Sequence, residues 1–277
     1  MDIRFWGVRG SVATSGPAVA RIGGNTACLE VTSQGERLIF DAGTGLRGLG
    51  EELGKKGPAQ ATIFFSHLHW DHVQGFPFFA PGYHPGSVLT LYGPGAHGAQ
   101  RLREVLVQQM MPPSFPVPLS AMRSKLVFAS ATPYEAIERG PFRVVPFELP
   151  HPQGCTGYRV EADGASLVYM TDVELTLASL DPKVARIIAQ ADVLVLDAQY
   201  TPEEYEGQRG SSRRGWGHST MLDAAQVARG VDADRLFLFH HDPTHDDEQV
   251  ESMVEAARGV FTPSEAAREG KRVSIAR

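Results

Sequence analysis

Four side chains of the kinds that bind metal ions are crowded into six positions of the segment 66–76, which reads SHLHWDHVQGF. His67 and His69 are two residues apart and point the same way in an extended segment, and Asp71 and His72 follow within one further turn. Imidazole nitrogens and carboxylate oxygens are ligands of zinc, manganese and iron. The spacing therefore predicts a metal site, and four ligands from one segment suit two neighbouring ions better than one.

Three more candidate ligands lie far apart in the chain, but each follows an apolar run that is typical of a strand. These residues are His151, Asp172 and His240. An aspartate after a strand is usually a turn residue, and a lone histidine is usually not a ligand. Each of the three alone is therefore a weak signal. Loops along one edge of a layered fold can bring such residues together, and we expect them to complete the site. His241 is the alternative to His240 as the last ligand.

Groups of short apolar strands, separated by helical patterns, must position these side chains. The predicted strands are 2–8, 27–33, 36–41, 61–66, 88–92, 142–148, 156–162, 166–171, 193–197 and 235–239. The predicted helices are 46–55, 98–109, 182–190, 219–229 and 246–258. This order favours two packed sheets with helices outside over a regular alternation of strand and helix. We expect an α+β fold in which residues 1–277 form a single domain.

The composition limits the classes of partner. The chain has 277 residues, of which 42% are hydrophobic and 21% charged, and its formal net charge is -6. A negative chain has no general electrostatic attraction for nucleic acid, so an anionic substrate would need a local positive centre. The two cysteines, Cys28 and Cys155, are too few for a disulfide framework, and we expect both to be core residues.

The chain shows no signal peptide and no apolar run long enough to cross a membrane, which predicts a cytoplasmic protein. The segment 109–122, rich in Pro, Phe and Met, reads as an irregular excursion between elements. We interpret it as a lid or a subunit contact, with a simple packed loop as the alternative.

The ligand candidates resemble the metallo-β-lactamase superfamily, in which an HxHxDH motif is followed by His, Asp and His on a four-layer αββα sandwich. The resemblance runs from the Gly-Gly-Asn-Thr segment 23–26 to the region of His240. Asp41, in the motif DAGTG, corresponds to an early aspartate that helps to hold the metal loop. Taken alone, Asp41 reads equally well as a turn aspartate before glycine.

A second motif resembles the phosphodiesterase branch of this superfamily, which contains tRNA 3′-processing endonucleases, class II cyclic-nucleotide phosphodiesterases and phosphoribosyl cyclic phosphodiesterases. The segment 216–220 reads WGHST and is similar to the HxT motif of that branch. In the relatives this histidine lies beside the scissile phosphate, which implies that role for His218. Asp197 falls where the endonucleases have a supporting acidic residue. On local sequence alone, His218 could equally be a residue at a helix start.

The resemblance implies two divalent metal ions, most readily zinc, with manganese or iron as alternatives. It assigns His67, His69 and His151 to one ion, Asp71, His72 and His240 to the other, and Asp172 to both. A metal-bridged hydroxide would attack phosphorus. The catalytic residues would be His218, Asp71 and Asp197, with His218 assisting at the phosphate or the leaving group.

These implications predict a phosphodiesterase for a small phosphodiester, most simply a cyclic nucleotide. A tRNA 3′-end endonuclease is the alternative, ranked lower because no basic Gly-rich arm is obvious, and extended nucleic acid is not expected as a partner. A non-catalytic metal sensor or interaction module is the alternative from another class. A homodimer is implied by the resemblance. Asn25, Trp216 and Thr220 are candidate substrate contacts, although a turn asparagine and a buried tryptophan are competing interpretations.

Overall fold

Two mixed β-sheets organise the computed structural model, which describes residues 1–208 and 210–275. Within these residues the first sheet has seven strands in the order β14-β1-β2-β3-β4-β5-β6. Its strands are β1 (Asp2–Gly7), β2 (Cys28–Ser33), β3 (Glu36–Phe40), β4 (Gln60–Phe64), β5 (Val88–Pro94), β6 (Lys125–Ala131) and β14 (Arg272–Ser274). The strands β3 to β6 are parallel to one another, and the other pairs are antiparallel.

The second sheet also has seven strands in the described residues, in the order β13-β12-β11-β10-β9-β8-β7. Its strands are β7 (Ile137–Arg139), β8 (Phe142–Leu149), β9 (Cys155–Ala162), β10 (Ala165–Met170), β11 (Val193–Asp197), β12 (Leu236–Phe239) and β13 (Ser264–Ala266). The strands β10 to β13 are parallel, and β7 to β10 pair antiparallel. The carboxyl ends of β8, β10, β11 and β12 therefore lie at one edge of this sheet.

The α-helices of the described residues are α1 (Gly45–Gly54), α2 (Trp70–Val73), α3 (Gly98–Gln109), α4 (Pro182–Ile188), α5 (Pro202–Tyr205), α6 (Met221–Gly230) and α7 (Asp247–Arg258). The longer helices α1, α3, α6 and α7 pack on the outer faces of the two sheets. Short 3-10 helices lie at Pro17–Val19, Phe76–Phe78, Ala80–Tyr83 and Leu119–Ala121. No helix in the described part of the chain is long and apolar enough to cross a membrane.

In the first sheet, the carboxyl-terminal parts of β3 and β4 send successive side chains to opposite faces, and both of these faces are buried. Phe40 and Phe64 face the second sheet, where both rings contact Tyr158 at centroid distances of 5.4 and 5.3 Å. Their neighbours Ile39 and Ile63 belong instead to a core that also contains residues of α1 and α3. This alternation gives the order helix, sheet, sheet, helix, which confirms the predicted αββα sandwich.

All ten predicted strands and all five predicted helices are present, with ends displaced by at most two residues. The predictions missed β6, β7, β13, β14, α2 and α5. Five of these six elements have only three or four residues, too few for a periodic pattern, and β6 is a half-exposed edge strand that pairs only with β5.

The excursion at residues 109–122 packs partly against the outer face of the first sheet. Leu119 and Met122 are buried in the core there, and Phe115 lies edge-on to Phe78 at a centroid distance of 5.6 Å. Met111 stays exposed. The segment therefore has the contacts of a packed loop, and a role as a lid or subunit contact stays a prediction.

Left-handed backbone conformations occur at three residues that follow strands. Asp41 after β3, Asp172 after β10 and His240 after β12 have φ angles of 62°, 50° and 60°. Aspartate and histidine adopt this region more readily than most residues, but it still costs about 1–3 kcal/mol at each position. These turns redirect the chain at the carboxyl ends of parallel strands, where the candidate ligands converge.

Candidate metal centre

The first group of ligand-type side chains combines the HxHxDH segment with two loops of the second sheet. Ligand atoms of His67, His69, His151 and Asp172 all lie within 4.8 Å of one another. His69 Nδ1 is 3.3 Å from His151 Nε2, and His67 Nε2 is 3.5 Å from Asp172 Oδ2. Three imidazoles and one carboxylate form a donor set that suits zinc, manganese or iron.

The second group is fully buried and shares Asp172 with the first. Ligand atoms of Asp71, His72, Asp172 and His240 lie within 4.8 Å of one another. Asp172 Oδ1 is 3.1 Å from His72 Nε2 and 3.2 Å from His240 Nε2, and Asp71 Oδ2 is 3.2 Å from His240 Nε2. Asp172 turns its other oxygen to the first group, so one carboxylate faces both. All seven ligand residues predicted from the sequence therefore meet at one edge of the sandwich.

The hydrogen bonds of the histidines orient their rings toward the cluster. His72, His151 and His240 each place Nδ1 within 2.8 to 2.9 Å of an oxygen, on Asp41, Gly217 and Gln199 respectively. Because a carbonyl or carboxylate oxygen can only accept, Nδ1 is the donor in each of these bonds, and Nε2 is the nitrogen turned toward the cluster. A neutral ring with its proton on Nδ1 is the tautomer that binds a metal through Nε2.

The charge state of the cluster also fits bound cations. Burial lowers the pKa of His67 well below its usual range, with a smaller contribution from His72, and its buried Nε2 has no hydrogen-bond partner. Burial alone would raise the pKa of Asp172, but neighbouring imidazoles hold that pKa well below its usual range. A buried, unpartnered imidazole nitrogen facing an ionised carboxylate indicates a position for a cation.

Asp41 braces this cluster through four hydrogen bonds. Its buried carboxylate accepts hydrogen bonds from the backbone N–H of Ser66 at 2.7 Å, the Ser66 hydroxyl at 2.8 Å, His72 Nδ1 at 2.9 Å and the Tyr169 hydroxyl at 2.8 Å. The four bonds join the start of the HxHxDH loop to a strand of the opposite sheet. Asp41 thus orients His72 without contacting the candidate ions.

We expect Asp41→Ala to lower the free energy of unfolding by about 3–5 kcal/mol, because it leaves several buried donors without an acceptor. Tyr169→Phe removes only one of the four bonds and should cost about 1–2 kcal/mol. Urea unfolding of both variants, with a chelator present throughout, measures this difference apart from metal binding. Equal losses in the two variants would contradict the bracing role of Asp41.

His240, and not His241, joins the cluster. His241 is buried on the other side of the turn, where its Nε2 lies 3.1 Å from the carbonyl of Ala267. Burial lowers the pKa of His241 to about 3, with a further contribution from Arg9. Opposite side-chain directions at consecutive residues explain the difference.

Gln199 is a functional candidate that sequence reasoning missed. Its Oε1 accepts a hydrogen bond from His240 Nδ1 at 2.8 Å, and its Nε2 donates to the Tyr200 hydroxyl at 3.1 Å. Gln199 lies two residues after the end of β11. This position indicates a contact with His240 only when β11 and β12 are known to be neighbours. It fixes the tautomer of the last ligand.

Gln199→Leu should weaken metal binding about 10- to 100-fold, because His240 loses the acceptor that keeps its proton on Nδ1. Gln199→Glu keeps an acceptor oxygen and should restore most of the affinity. Competition with a chromophoric chelator measures both constants. Metal affinity unchanged in Gln199→Leu would rule out this role.

Asp197 and His218 form a buried pair beside the cluster. His218 Nδ1 is 2.7 Å from Asp197 Oδ2, and the His218 ring stacks on His240 at a centroid distance of 4.9 Å. Burial opposes protonation, but the Asp197 carboxylate outweighs it and raises the pKa of His218 to about 9. With Nδ1 engaged by Asp197, Nε2 is the His218 nitrogen that remains for a substrate.

The three candidate substrate contacts have different surroundings. The Thr220 side chain is buried and caps α6, accepting from the backbone N–H of Asp223 at 3.1 Å while its hydroxyl donates to the Asp223 carboxylate at 2.6 Å. The Asn25 amide donates to Glu269 at 2.9 Å. Trp216 is 52% exposed, which corrects the competing interpretation of a buried tryptophan. Of the three, Trp216 has the side chain most accessible to a ligand.

Two further histidines lie apart from the cluster. His84 accepts from the backbone N–H of Gly86, and His97 is the N-cap residue of α3. Asp246 caps α7 by accepting from Gln249 N–H at 2.8 Å. Cys28 and Cys155 are buried free thiols, as predicted.

Comparison with known proteins gives one family match and several similar proteins. Residues 36–241 match the model of the β-lactamase superfamily domain. Ribonuclease Z of Natronomonas pharaonis is 26% identical over 87% of this chain and 86% of its own length. The metallo-β-lactamase fold protein YhfI of Bacillus subtilis has a TM-score of 0.71 at 18% identity over 99% of both chains. Human tRNase Z, short form, has a TM-score of 0.66 at 19% identity over 100% of both chains.

The family model spans most of the chain and includes all seven candidate ligands. The solved structures support the fold alone, because their identity to this chain is low. The ligand groups, the αββα layers and the family match agree with one another. The chain belongs to the β-lactamase superfamily and is a hydrolase with the metallo-β-lactamase fold.

Proposed function

We propose that this chain is a metal-dependent phosphodiesterase that cleaves a phosphodiester bond of RNA. The observation that carries the proposal is the Asp197–His218 pair, which lies against the ligand His240 and leaves His218 Nε2 directed away from its carboxylate partner. A hydrolase needs such a group beside the ions when the leaving group is a poor one, such as an alkoxide.

Two clefts on either side of the cluster support a diester rather than a monoester. One has a volume of about 530 Å³ and is lined by His151, His218 and residues of the segment 215–219; we call it the His218 cleft. The other has a volume of about 550 Å³ and is lined by His67, His69 and Arg101, among others. A phosphodiester carries two substituents, and each cleft could receive one of them.

The chain's own groups would do the following work. His67, His69, His151 and Asp172 would hold one divalent ion, and Asp71, His72, Asp172 and His240 the other. Bound ions of this kind lower the pKa of water and neutralise charge on phosphoryl oxygens. His218, oriented by Asp197, would donate a hydrogen bond or a proton to a phosphoryl or leaving oxygen.

The named relatives favour RNA over the cyclic nucleotide that the sequence first suggested. Ribonuclease Z and tRNase Z are named for action on RNA, and the ribonuclease Z match covers 87% of this chain. Precursor tRNA with a 3′ extension is therefore the first substrate to test.

A small cyclic nucleotide is the second candidate, and it is favoured by the segments that ribonuclease Z has and this chain lacks. The match to ribonuclease Z runs over 283 positions but covers only 87% of the 277 residues here, so the relative has insertions that this chain lacks. A net charge of -6 also gives no general attraction for a long polyanion.

The test begins with the metal content of purified protein. The same sample is then assayed with precursor tRNA, 2′,3′- and 3′,5′-cyclic nucleotides and an artificial phosphodiester. Faster cleavage of precursor tRNA supports the RNA proposal, and hydrolysis of only the cyclic compounds overturns it in favour of the second candidate. Two bound ions with no hydrolysis of any phosphodiester would indicate a non-catalytic metal-binding module.

A further inference from the structure

An exposed tryptophan stands at the rim of the His218 cleft. Trp216 lies two residues before His218, and its neighbours Gly215 and Gly217 both line that cleft. Half of its surface is exposed, at 52%. Removing the surface of a large aromatic side chain from water is favourable. An exposed ring beside a reactive centre therefore indicates a ligand that covers it.

One carboxylate holds the backbone on both sides of this tryptophan. Glu174 accepts hydrogen bonds from the N–H groups of Gly215 at 2.9 Å and Gly217 at 2.8 Å, and from the Tyr205 hydroxyl at 2.6 Å. The segment that carries Trp216 is thus anchored at two points, although its side chain is exposed.

The same segment is joined directly to the metal ligands. The carbonyl of Gly217 accepts from His151 Nδ1 at 2.8 Å. Gly217 has a φ of +90°, and a Cβ there would come within 2.2 Å of His151 Nδ1, so only glycine fits. The backbone that carries Trp216 therefore has a defined place relative to the cluster.

A cation lies over the ring of Trp216. The Arg213 guanidinium carbon is 4.3 Å from the ring centroid, a cation–π contact. The neighbouring Arg214 is paired with Glu206, whereas no carboxylate within residues 1–208 and 210–275 forms an ion pair with Arg213. Arg213 therefore brings an uncompensated positive charge to the aromatic ring.

We propose that Trp216 and Arg213 form a subsite for a nucleobase, so that the substrate is a nucleotide diester with a base next to the scissile phosphate. The guanidinium lies over the indole ring, and the exposed half of the side chain is available for stacking. Base stacking on an aromatic side chain tolerates any base, because each base has a π face. This subsite rests on the proposed phosphodiesterase function and gives the base of either candidate substrate, RNA or a cyclic nucleotide, a position in the structure.

The test compares two ligands that differ only in the base. Binding of adenosine 5′-monophosphate and of ribose 5-phosphate to the metal-loaded protein is measured by calorimetry, so no turnover is needed. We expect the nucleotide to bind about 5- to 150-fold more tightly. Trp216→Ala should reduce this ratio to near one, and Trp216→Phe, which keeps an aromatic ring, should retain most of it.

Phe78→Ala is the matched control, because Phe78 is 54% exposed and lies in a 3-10 helix separate from the segment 205–217. It should leave the ratio unchanged. Equal binding of the two ligands by the unmodified protein, or a ratio that survives in Trp216→Ala, would overturn the subsite.

Hydrolysis of a phosphodiester without a base is measured in parallel to separate the two proposals. Base-dependent binding lost in Trp216→Ala, without hydrolysis of any diester, would leave the subsite standing and reject the phosphodiesterase. Hydrolysis of diesters with no base-dependent binding would do the reverse.

Discussion

Asp172→Ala is expected to reduce the metal content from two ions per chain to one or none and to abolish hydrolysis. The reason is that Asp172 belongs to both ligand groups, with Oδ1 3.1 Å from His72 Nε2 and Oδ2 3.5 Å from His67 Nε2. Loss of a group that merely orients a ligand already costs about 10- to 100-fold in metal affinity, and loss of a shared ligand should cost more.

Elemental analysis after dialysis against trace zinc measures the metal content, and turnover of an artificial phosphodiester measures the activity. Asp192→Ala is the matched control, because Asp192 is also a buried aspartate, directly before β11, which accepts from Ser166 N–H and hydroxyl at 2.7 Å each. It should lower stability but keep both ions. Two ions retained by Asp172→Ala would disprove the shared-ligand assignment.

His218→Ala is expected to lower turnover about 10²- to 10⁴-fold while both ions stay bound, which corresponds to about 2.7–5.5 kcal/mol of transition-state stabilisation. His218 is absent from the two ligand groups that share Asp172; it clusters instead with Asp197 and His240, and its Nδ1 is held by Asp197 at 2.7 Å. Its removal should therefore affect the reacting phosphate and leave the metal sites intact.

Two further variants make the result for His218 specific. His218→Asn keeps a hydrogen-bond donor for the buried Asp197 but lacks the ring nitrogen, so turnover should stay low even if the fold is fully preserved. His84→Ala removes a histidine whose Nδ1 only accepts from Gly86 N–H, and it should behave as the unmodified protein. Turnover near normal in His218→Ala with two bound ions would remove His218 from the mechanism.

The strands and the ligands were predictable because their signals are local. A strand buried on both faces is apolar at almost every position, as in β11 (VLVLD), so it stands out without tertiary information. The HxHxDH segment places four candidate ligands within six residues. Such local crowding is visible in the sequence because the ligands of two neighbouring ions must lie close together. The resemblance then connected this segment to His151, Asp172 and His240, which no local pattern could do.

The supporting contacts were not predictable, because they join residues that are distant in sequence. Gln199 meets His240 only because β11 and β12 are adjacent and parallel, and Tyr169 reaches Asp41 only because the two sheets pack face to face. Glu174 is an ordinary polar residue until folding places it against Gly215 and Gly217. Thr220, a candidate substrate contact from the sequence, caps α6 in the structure, and its role toward a substrate stays a prediction.

By itself, the sequence indicated the layered fold. Through the resemblance, it also indicated the two groups of candidate ligands and a position for His218 beside them. The tertiary structure alone decided that His240 rather than His241 lies in the cluster, and that Trp216 is exposed beside a cleft. The physical reason is that composition and periodicity report which side chains leave water. The direction of a side chain, and its partner from another strand, depend on backbone angles and strand order that are established only when the sheets assemble.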